Sequence, residues 1–216
     1  MSKQTNTLND YQTALSLMDV SRETLERLQI YADLLIKWQK TINLVSPATL
    51  PHLWVRHIAD SAQVLDCAPE ARVWVDIGSG GGFPGLVTAM RLADRPDAKV
   101  HLVESDQRKC AFLREVSRAT GAPAEVHVGR IETILPGLNI EVNAVSARAL
   151  APLAQLVDYT KNLLEKGAIG VFLKGQDVDK ELTSIVKYSN LNYQLKLSKT
   201  HQDARIVIVK LRDAST

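Results

Sequence analysis

The stretch VWVDIGSGGGFPG, residues 73–85, runs from a β-branched strand pattern over 73–77 directly into a loop that contains five glycines. Further short β-branched runs follow at 100–103, 125–128, 142–145 and 169–173, and a helix-like segment comes after each of them. Strands that alternate with helices predict an α/β fold, in which a mostly parallel sheet carries helices on both faces.

The segments on either side of this α/β region have different patterns. Before it, Ser21 is a candidate N-cap for a helix whose apolar residues recur every three or four positions from Leu25 to Ile42, and a second short helix is expected over 56–66. After it, the runs 193–197 and 206–211 leave no room for a crossover helix, which predicts an antiparallel hairpin at the sheet edge. We therefore expect a helical N-terminal extension over 1–70, packed on one α/β unit over 71–216.

Composition excludes several classes of protein. The chain has 216 residues, of which 45% are hydrophobic and 23% charged, which argues against disordered and fibrous proteins. Two cysteines, Cys67 and Cys110, are too few for a disulfide framework or a cysteine metal cluster, so we expect a reduced, cytoplasmic protein without a metal. No leader pattern and no long apolar run is present, which argues against secretion and membrane spanning. The net charge is only +2, with the C-terminal third the more basic part.

The glycine loop formally fits the G-x-G-x-x-G pattern of dinucleotide-binding proteins, and Glu104 follows where an acidic ribose ligand belongs. Two features favour another cofactor. Asp76 would repel a pyrophosphate, and Pro84 removes one of the backbone amides that would bind it. Two carboxylates beside a glycine loop suit S-adenosylmethionine, with Asp76 near the methionine end and Glu104 on the ribose hydroxyls. A nicotinamide-dependent dehydrogenase remains an alternative.

Several separated motifs resemble the RsmG (GidB) family of bacterial 16S rRNA guanine-N7 methyltransferases. In chain order they are WQKTINLVS (38–46), RHIADS (56–61), DIGSGGGFPG (76–85), ESDQRKCAFL (104–113), SARALAPL (146–153), LKG (173–175) and RIVIVKL (205–211). The resemblance implies a class I, Rossmann-like methyltransferase fold over 71–216 and S-adenosylmethionine as the cofactor. It also implies methyl transfer to N7 of a guanine in the 530 loop of 16S rRNA, position 527 in the usual rRNA numbering.

The resemblance also implies roles for individual residues. It adds cofactor contacts to those expected from the loop itself, so that the expected cofactor-binding set is Asp76, Gly78, Gly80, Gly82, Phe83, Glu104, Ile131, Glu132 and Arg148. The chain departs from the family's usual WN and NLT at Gln39 and Val45, while Asn43 is in place.

The chemistry of guanine N7 shapes the expected mechanism. N7 already carries an in-plane lone pair, so attack on the sulfonium methyl requires no general base, and catalysis comes mainly from holding the reacting atoms in line. Arg148 is the candidate catalytic residue, because a guanidinium fork suits O6 of guanine or a phosphate and would orient the substrate.

The remaining polar residues allow more than one interpretation. Candidate RNA contacts are Arg108, Lys109, Lys174 and Arg205. His57, Asp60 and Ser61 superficially resemble a triad, but no glycine elbow surrounds the serine, which favours a structural or RNA-facing network. The expected partner is 16S rRNA or the 30S subunit, bound by a monomer. Two alternatives are a methyltransferase for a small molecule or a protein, and a non-catalytic rRNA-binding assembly factor.

Overall fold

The computed structural model describes residues 3–186, 188 and 190–212. Its N-terminal part contains α1 (Lys3–Leu17) and α2 (Arg22–Trp38), followed by helical turns at Leu50–His52, Trp54–Ala59 and Leu65–Cys67 and by α3 (Asp60–Ala62). The expected helix over 56–66 is therefore present as a series of short helical pieces, one of them a π-helix.

The rest of the described chain alternates strands and helices until the final hairpin. The elements are β1 (Val73–Ile77), α4 (Gly85–Leu92), β2 (Lys99–Glu104), α5 (Gln107–Thr120), β3 (Ala124–Val128), α6 (Ile131–Gly137), β4 (Ala144–Arg148), α7 (Leu153–Glu165), β5 (Ile169–Lys174), α8 (Val178–Ile185), β6 (Leu191–Leu197) and β7 (Arg205–Leu211). Strand β1 has the expected bounds, whereas β4 begins two residues later than expected.

The strands form one sheet in the order β3-β2-β1-β4-β5-β7-β6. Strands β1 to β5 pair in parallel, and β7 pairs antiparallel with both β5 and β6. This topology confirms the predicted α/β fold with a C-terminal antiparallel hairpin. The strand order reverses beside β1, so the carboxyl ends of β1 and β4 flank the crevice in which open α/β sheets bind ligands.

Helix α2 begins where the sequence predicts and ends earlier. The Ser21 hydroxyl accepts a hydrogen bond from the Thr24 amide at 3.1 Å, as an N-cap does. The helix ends at Trp38. Beyond it, Gln39 Oε1 accepts hydrogen bonds from the backbone amides of Leu44 and Val45 at 2.9 and 3.0 Å, so these amides bond to a side chain and not to helical carbonyls. Ile42, the last residue of the predicted apolar stripe, is therefore buried but lies after the end of the helix.

Hydrophobic clusters cover both faces of the sheet. One cluster joins the N-terminal helices to α4, α5 and the sheet, with Leu28, Trp54 and Trp74 among its buried members. The other packs α7 and α8 on the opposite face, around Phe172. The first cluster continues across residue 70 without a break, and the division into 1–70 and 71–216 stays a prediction.

Candidate functional site

The glycine loop makes a tight turn between β1 and α4. Gly78, Gly80 and Gly82 have φ angles of 66°, 54° and 95°, in the left-handed region that residues with a side chain rarely adopt. A Cβ on Gly78 would also lie 2.6 Å from a methyl carbon of Leu150. The glycines thus bring bare backbone close to whatever occupies the space above the strand ends.

Two side chains outside the loop hold it in place. The Tyr31 hydroxyl on α2 donates a hydrogen bond to the Gly81 carbonyl at 2.5 Å. Glu104, at the end of β2, accepts at Oε2 from the Gly80 amide at 2.8 Å, and at Oε1 from the amides of Ser105 and Asp106 at 2.8 Å. The helical N-terminal part and the neighbouring strand therefore fix the loop together.

A cleft of about 420 Å³ lies above the loop, at the carboxyl ends of the central strands. Most of the expected cofactor residues line it, together with one of the expected RNA contacts: Gly78, Gly80, Phe83, Glu104, Lys109, Ile131, Glu132 and Arg148. Glu104 Oε2 accepts only one hydrogen bond and keeps a free lone pair, so it remains able to accept from a ribose hydroxyl. A cleft of this size suits a nucleoside-sized ligand.

Asp76, beneath the loop, and Gly82, within it, do not line this cleft, and their contact with the cofactor stays a prediction. Asp76 is fully buried, and its Oδ1 accepts from the Ser146 hydroxyl at 2.6 Å, which ties β1 to β4. Burial raises the pKa of the Asp76 carboxyl to about 6, against the lowering effect of the Ser146 hydrogen bond. A Cβ on Gly82 would meet Leu86 and the Tyr31 hydroxyl, so this glycine faces the protein interior.

Arg148, the last residue of β4, stands between this cleft and a second cavity of about 650 Å³. Its Nη1 donates to the Arg56 carbonyl at 3.1 Å, its Nη2 donates to His57 Nδ1 at 2.8 Å, and its Cζ lies 4.8 Å from the centre of the Phe83 ring. Burial lowers the pKa of Arg148, but guanidinium groups remain charged in proteins. These contacts therefore hold a partly buried cation at the junction of the two cavities.

The arginine contact also determines the proton position on His57. Since Arg148 has only donors, His57 Nδ1 accepts, and the ring proton is on Nε2, which donates to the Thr49 hydroxyl at 2.8 Å. Burial, followed by the charges of Arg148 and Arg56, lowers the pKa of His57 to about 3. The imidazole is neutral at pH 7, and both ring nitrogens form hydrogen bonds, Nδ1 with Arg148 and Nε2 with Thr49.

The triad-like pattern in RHIADS does not form a triad. Asp60 Oδ1 accepts from the hydroxyls of Ser198 and Thr200 at 3.1 and 2.7 Å, and so holds the turn between β6 and β7. The Ser61 hydroxyl is buried and has no hydrogen-bond partner among the residues that the structure describes. The motif thus connects the N-terminal part to two other regions: His57 contacts Arg148, and Asp60 contacts the hairpin.

The second cavity opens between the N-terminal part, the end of β5 and the hairpin turn. Its lining contains His57, Asp60, Lys174, His201 and other polar residues, as well as Arg148 and Ala149, which it shares with the first cleft. Lys174 is as close to the strand ends as expected. Its Nζ contacts Glu181 at 2.7 Å and donates to the Ala151 carbonyl, and its side chain is only 10% exposed.

The other expected RNA contacts lie apart from one another. The Arg108 side chain is 74% exposed at the start of α5, 4.0 Å from the Asp106 carboxylate that caps this helix. Arg205 begins β7 and donates to the carbonyls of Gln202 and Ala204, beside the second cavity. Neither position tests the RNA contact.

Sequence reasoning missed some residues that shape the site. Tyr31 is only one member of an apolar stripe in the sequence, Thr49 has no motif around it, and Leu44 lines the first cleft beside the loop. Gln39 is the sequence feature that could have indicated Leu44, because its side chain holds the 43–45 segment beside the cleft. Gln39 Nε2 also donates to Asn43 Oδ1 at 3.3 Å, which gives Asn43 a structural role.

The fold is that of class I methyltransferases, the class whose cofactor is S-adenosylmethionine. Cofactor-bound Rv0187 from MTB is similar over 87% of this chain and 90% of its own, with a TM-score of 0.62 and 18% identity. The O-methyltransferase TomG from Streptomyces achromogenes, solved in complex with SAM, is similar over 98% of this chain and all of its own, with a TM-score of 0.62 and 15% identity. None of the helices in the described part of the chain has the length and apolarity of a membrane span.

The chain belongs to the family described as GidB, rRNA small subunit methyltransferase G, whose family model matches residues 24–207. The ribosomal RNA small subunit methyltransferase G of Bradyrhizobium sp. (strain ORS 278) is 55% identical over 201 residues, 93% of this chain and 90% of the relative. That of Parvibaculum lavamentivorans is 50% identical over 204 residues, 94% of this chain and 89% of the relative.

Proposed function

We propose that the chain transfers a methyl group from S-adenosylmethionine to N7 of a guanine in the 530 loop of 16S rRNA, position 527, by in-line attack without a general base. The family membership supports the methyltransferase activity and the ribosomal substrate. The observation that carries the mechanism is the position of Arg148, a partly buried cation that lines both cavities and contacts a neutral histidine.

The first cleft would hold the cofactor. Its glycine backbone at Gly78 and Gly80 allows close approach, Glu104 would accept from a ribose hydroxyl, and Ile131 and Glu132 would flank the adenine. When bound, S-adenosylmethionine supplies an electrophilic methyl group on a sulfonium. Asp76 and Gly82 would act from below, by fixing the loop and the start of α4.

The second cavity would hold the guanine. Guanine N7 needs no deprotonation, and His57, the ring nearest to Arg148, is neutral with both nitrogens in hydrogen bonds. Arg148 would contact O6 or a phosphate, because a cation directed at N7 would oppose the positive charge that the purine gains. Positioning of this kind can contribute about 7–11 kcal/mol in favourable cases.

The RNA would approach across the open side of the second cavity. Lys174 and Arg205 lie at this cavity or beside it, and Arg108 and Lys109 lie at the start of α5 near the first cleft. The protein would act as a monomer in the cytoplasm, on 16S rRNA within the 30S subunit. It would recognise the target loop by stacking and base-edge contacts, as is usual for single-stranded RNA loops.

The test is incorporation of radiolabelled methyl from S-adenosylmethionine into 30S subunits from cells that lack the endogenous modification, with the base mapped by cleavage at 7-methylguanine. Label at one guanine of the 530 loop supports the proposal. Cofactor binding without labelled RNA favours a small-molecule or protein acceptor, and 30S binding without cofactor binding favours an assembly factor. An Arg148→Lys variant with unchanged kcat/KM for RNA would remove the proposed role of the guanidinium.

A further inference from the structure

His101, Glu125 and His127 project from one face of β2 and β3, far along the sheet from the second cavity. His101 pairs with Glu125 in the parallel register, and His127 pairs with Val103, two residues further along. Because alternate residues of a strand share a face, all three side chains lie on the same side of the sheet. Neither the cofactor cleft nor the second cavity includes any of them.

The three side chains bring ligand atoms together. His101 Nδ1 lies 2.9 Å from His127 Nε2, His127 Nε2 lies 3.8 Å from Glu125 Oε1, and one ligand atom from each residue lies within 4.8 Å of the others. Tetrahedral zinc, with bonds of about 2.0–2.2 Å, separates its ligand atoms by roughly 3.3 Å. The two separations of 2.9 and 3.8 Å each differ from this value by about 0.5 Å or less, and rotation of the exposed Glu125 side chain would bring its carboxylate into range of both histidines.

The surroundings allow an ion to enter and to be held. His101 is buried and His127 is largely so, while the Glu125 side chain is 51% exposed, so the cluster opens to solvent on the carboxylate side. Lys99 contacts the other carboxylate oxygen of Glu125 at 3.4 Å and is the cation that an ion would compete with. Two imidazoles and one carboxylate form a donor set that suits zinc and neighbouring transition metals.

We propose that His101 Nδ1, His127 Nε2 and the Glu125 carboxylate bind one divalent transition-metal ion, with zinc the best fit and water as the fourth ligand. The site goes beyond the proposed methyl transfer and is independent of it. The scarcity of cysteine predicted no metal, but histidine and glutamate need no cysteine to bind zinc. A bound ion would join β2 to β3, the two strands whose ends lead to Glu104 and Gly129 at the cofactor cleft.

The test uses the full chain after treatment with a chelator, titrated with Co²⁺ and followed by the visible absorption that marks tetrahedral coordination, and then displaced by Zn²⁺. We expect one equivalent to bind and the melting temperature to rise. Since loss of an outer-shell partner alone weakens metal binding by about 10–100-fold, His127→Gln and Glu125→Gln should each weaken it by at least about tenfold.

Controls separate this site from other imidazoles and from folding defects. His52→Gln removes a half-exposed histidine beside Asp10, elsewhere on the surface, and should bind Co²⁺ like the wild type. Lys99→Gln removes the competing cation and should tighten binding several-fold. When measured in the absence of metal, the far-ultraviolet circular dichroism and the S-adenosylmethionine affinity of all four variants should equal those of the wild type. Three results would overturn the proposal: uptake of less than one equivalent of Co²⁺, wild-type affinity for Co²⁺ in His127→Gln and Glu125→Gln, or weaker Co²⁺ binding in Lys99→Gln. The hydrogen bond between His101 and His127 would then account for the cluster.

Discussion

Replacement of Arg148 by lysine tests the centre of the site. Lysine keeps the charge but has one nitrogen, so it cannot donate to the Arg56 carbonyl and to His57 Nδ1 with the planar fork of arginine. Loss of one hydrogen bond from a charged donor costs about 1.5–3 kcal/mol. Loss of the guanidinium over Phe83 adds about 0.5–2 kcal/mol. We expect Arg148→Lys to lower the free energy of unfolding by about 2–5 kcal/mol.

The assay is urea unfolding followed by tryptophan fluorescence. With a slope of about 2–3 kcal/mol per molar urea, the midpoint should fall by roughly 1–2 M. Arg108→Lys is the matched control, since its exposed side chain predicts a change within about 0.5 kcal/mol. A double-mutant cycle with His57→Gln isolates the arginine–histidine pair and should give a coupling energy of about 0.5–3 kcal/mol. An Arg148→Lys variant as stable as the wild type, with no coupling, would refute the contacts on which the reasoning depends.

Three further predictions concern the loop and the histidine. Glu104→Gln should weaken S-adenosylmethionine binding by about tenfold or more in calorimetry, because a carboxamide nitrogen cannot accept from the loop amides. Gly81→Ala should raise the KM for the cofactor, because its Cβ would lie 2.8 Å from the Leu44 carbonyl oxygen. For His57, the folded pKa of about 3 lies below the unfolded value of 6.5, so the wild type should lose stability relative to His57→Gln as the pH falls from about 7 to about 5 in urea titrations.

Each of these predictions has a control or a contrary outcome. Glu70→Gln changes an exposed carboxylate and should leave cofactor affinity unchanged. Gly137→Ala adds a Cβ with nothing within 4 Å and should leave KM unchanged. A stability difference between the wild type and His57→Gln that is constant with pH would show that the folded histidine titrates like the unfolded one.

The sequence predicts the centre of the sheet well because strands β1, β2, β4 and β5 are mostly buried and therefore read as short apolar runs. Strand β1 was predicted residue by residue, but β4 was placed over 142–145 and lies at Ala144–Arg148. The reason is that Val142 is buried without being in the strand, and Asn143 Oδ1 instead accepts from the amides of Arg72 and Val73 at the start of β1. A run of apolar residues does not distinguish a strand from a buried approach to it.

The site was predicted less completely because its main contacts are distant in sequence. Arg148 and His57 are separated by 91 positions, and the pairing that makes the imidazole an acceptor is visible only in three dimensions. Asp76 shows the opposite problem. A carboxylate at the end of a strand suggests a ligand contact, but the side chain is buried under the loop, where its Oδ1 accepts from the Ser146 hydroxyl.

The contacts between the N-terminal helices and the loop bear on how such chains can be recombined. Tyr31 bonds to the carbonyl of Gly81, and Asp60 bonds to the hydroxyls of Ser198 and Thr200, so residues before position 70 touch both the glycine loop and the far end of the sheet. A chimera that joins segments of two distant relatives at residue 70 would combine side chains that have not evolved together, and these hydrogen bonds would be lost or weakened. The two segments are therefore expected to be inherited together, and the break between helices and sheet is a poor crossover point for directed evolution.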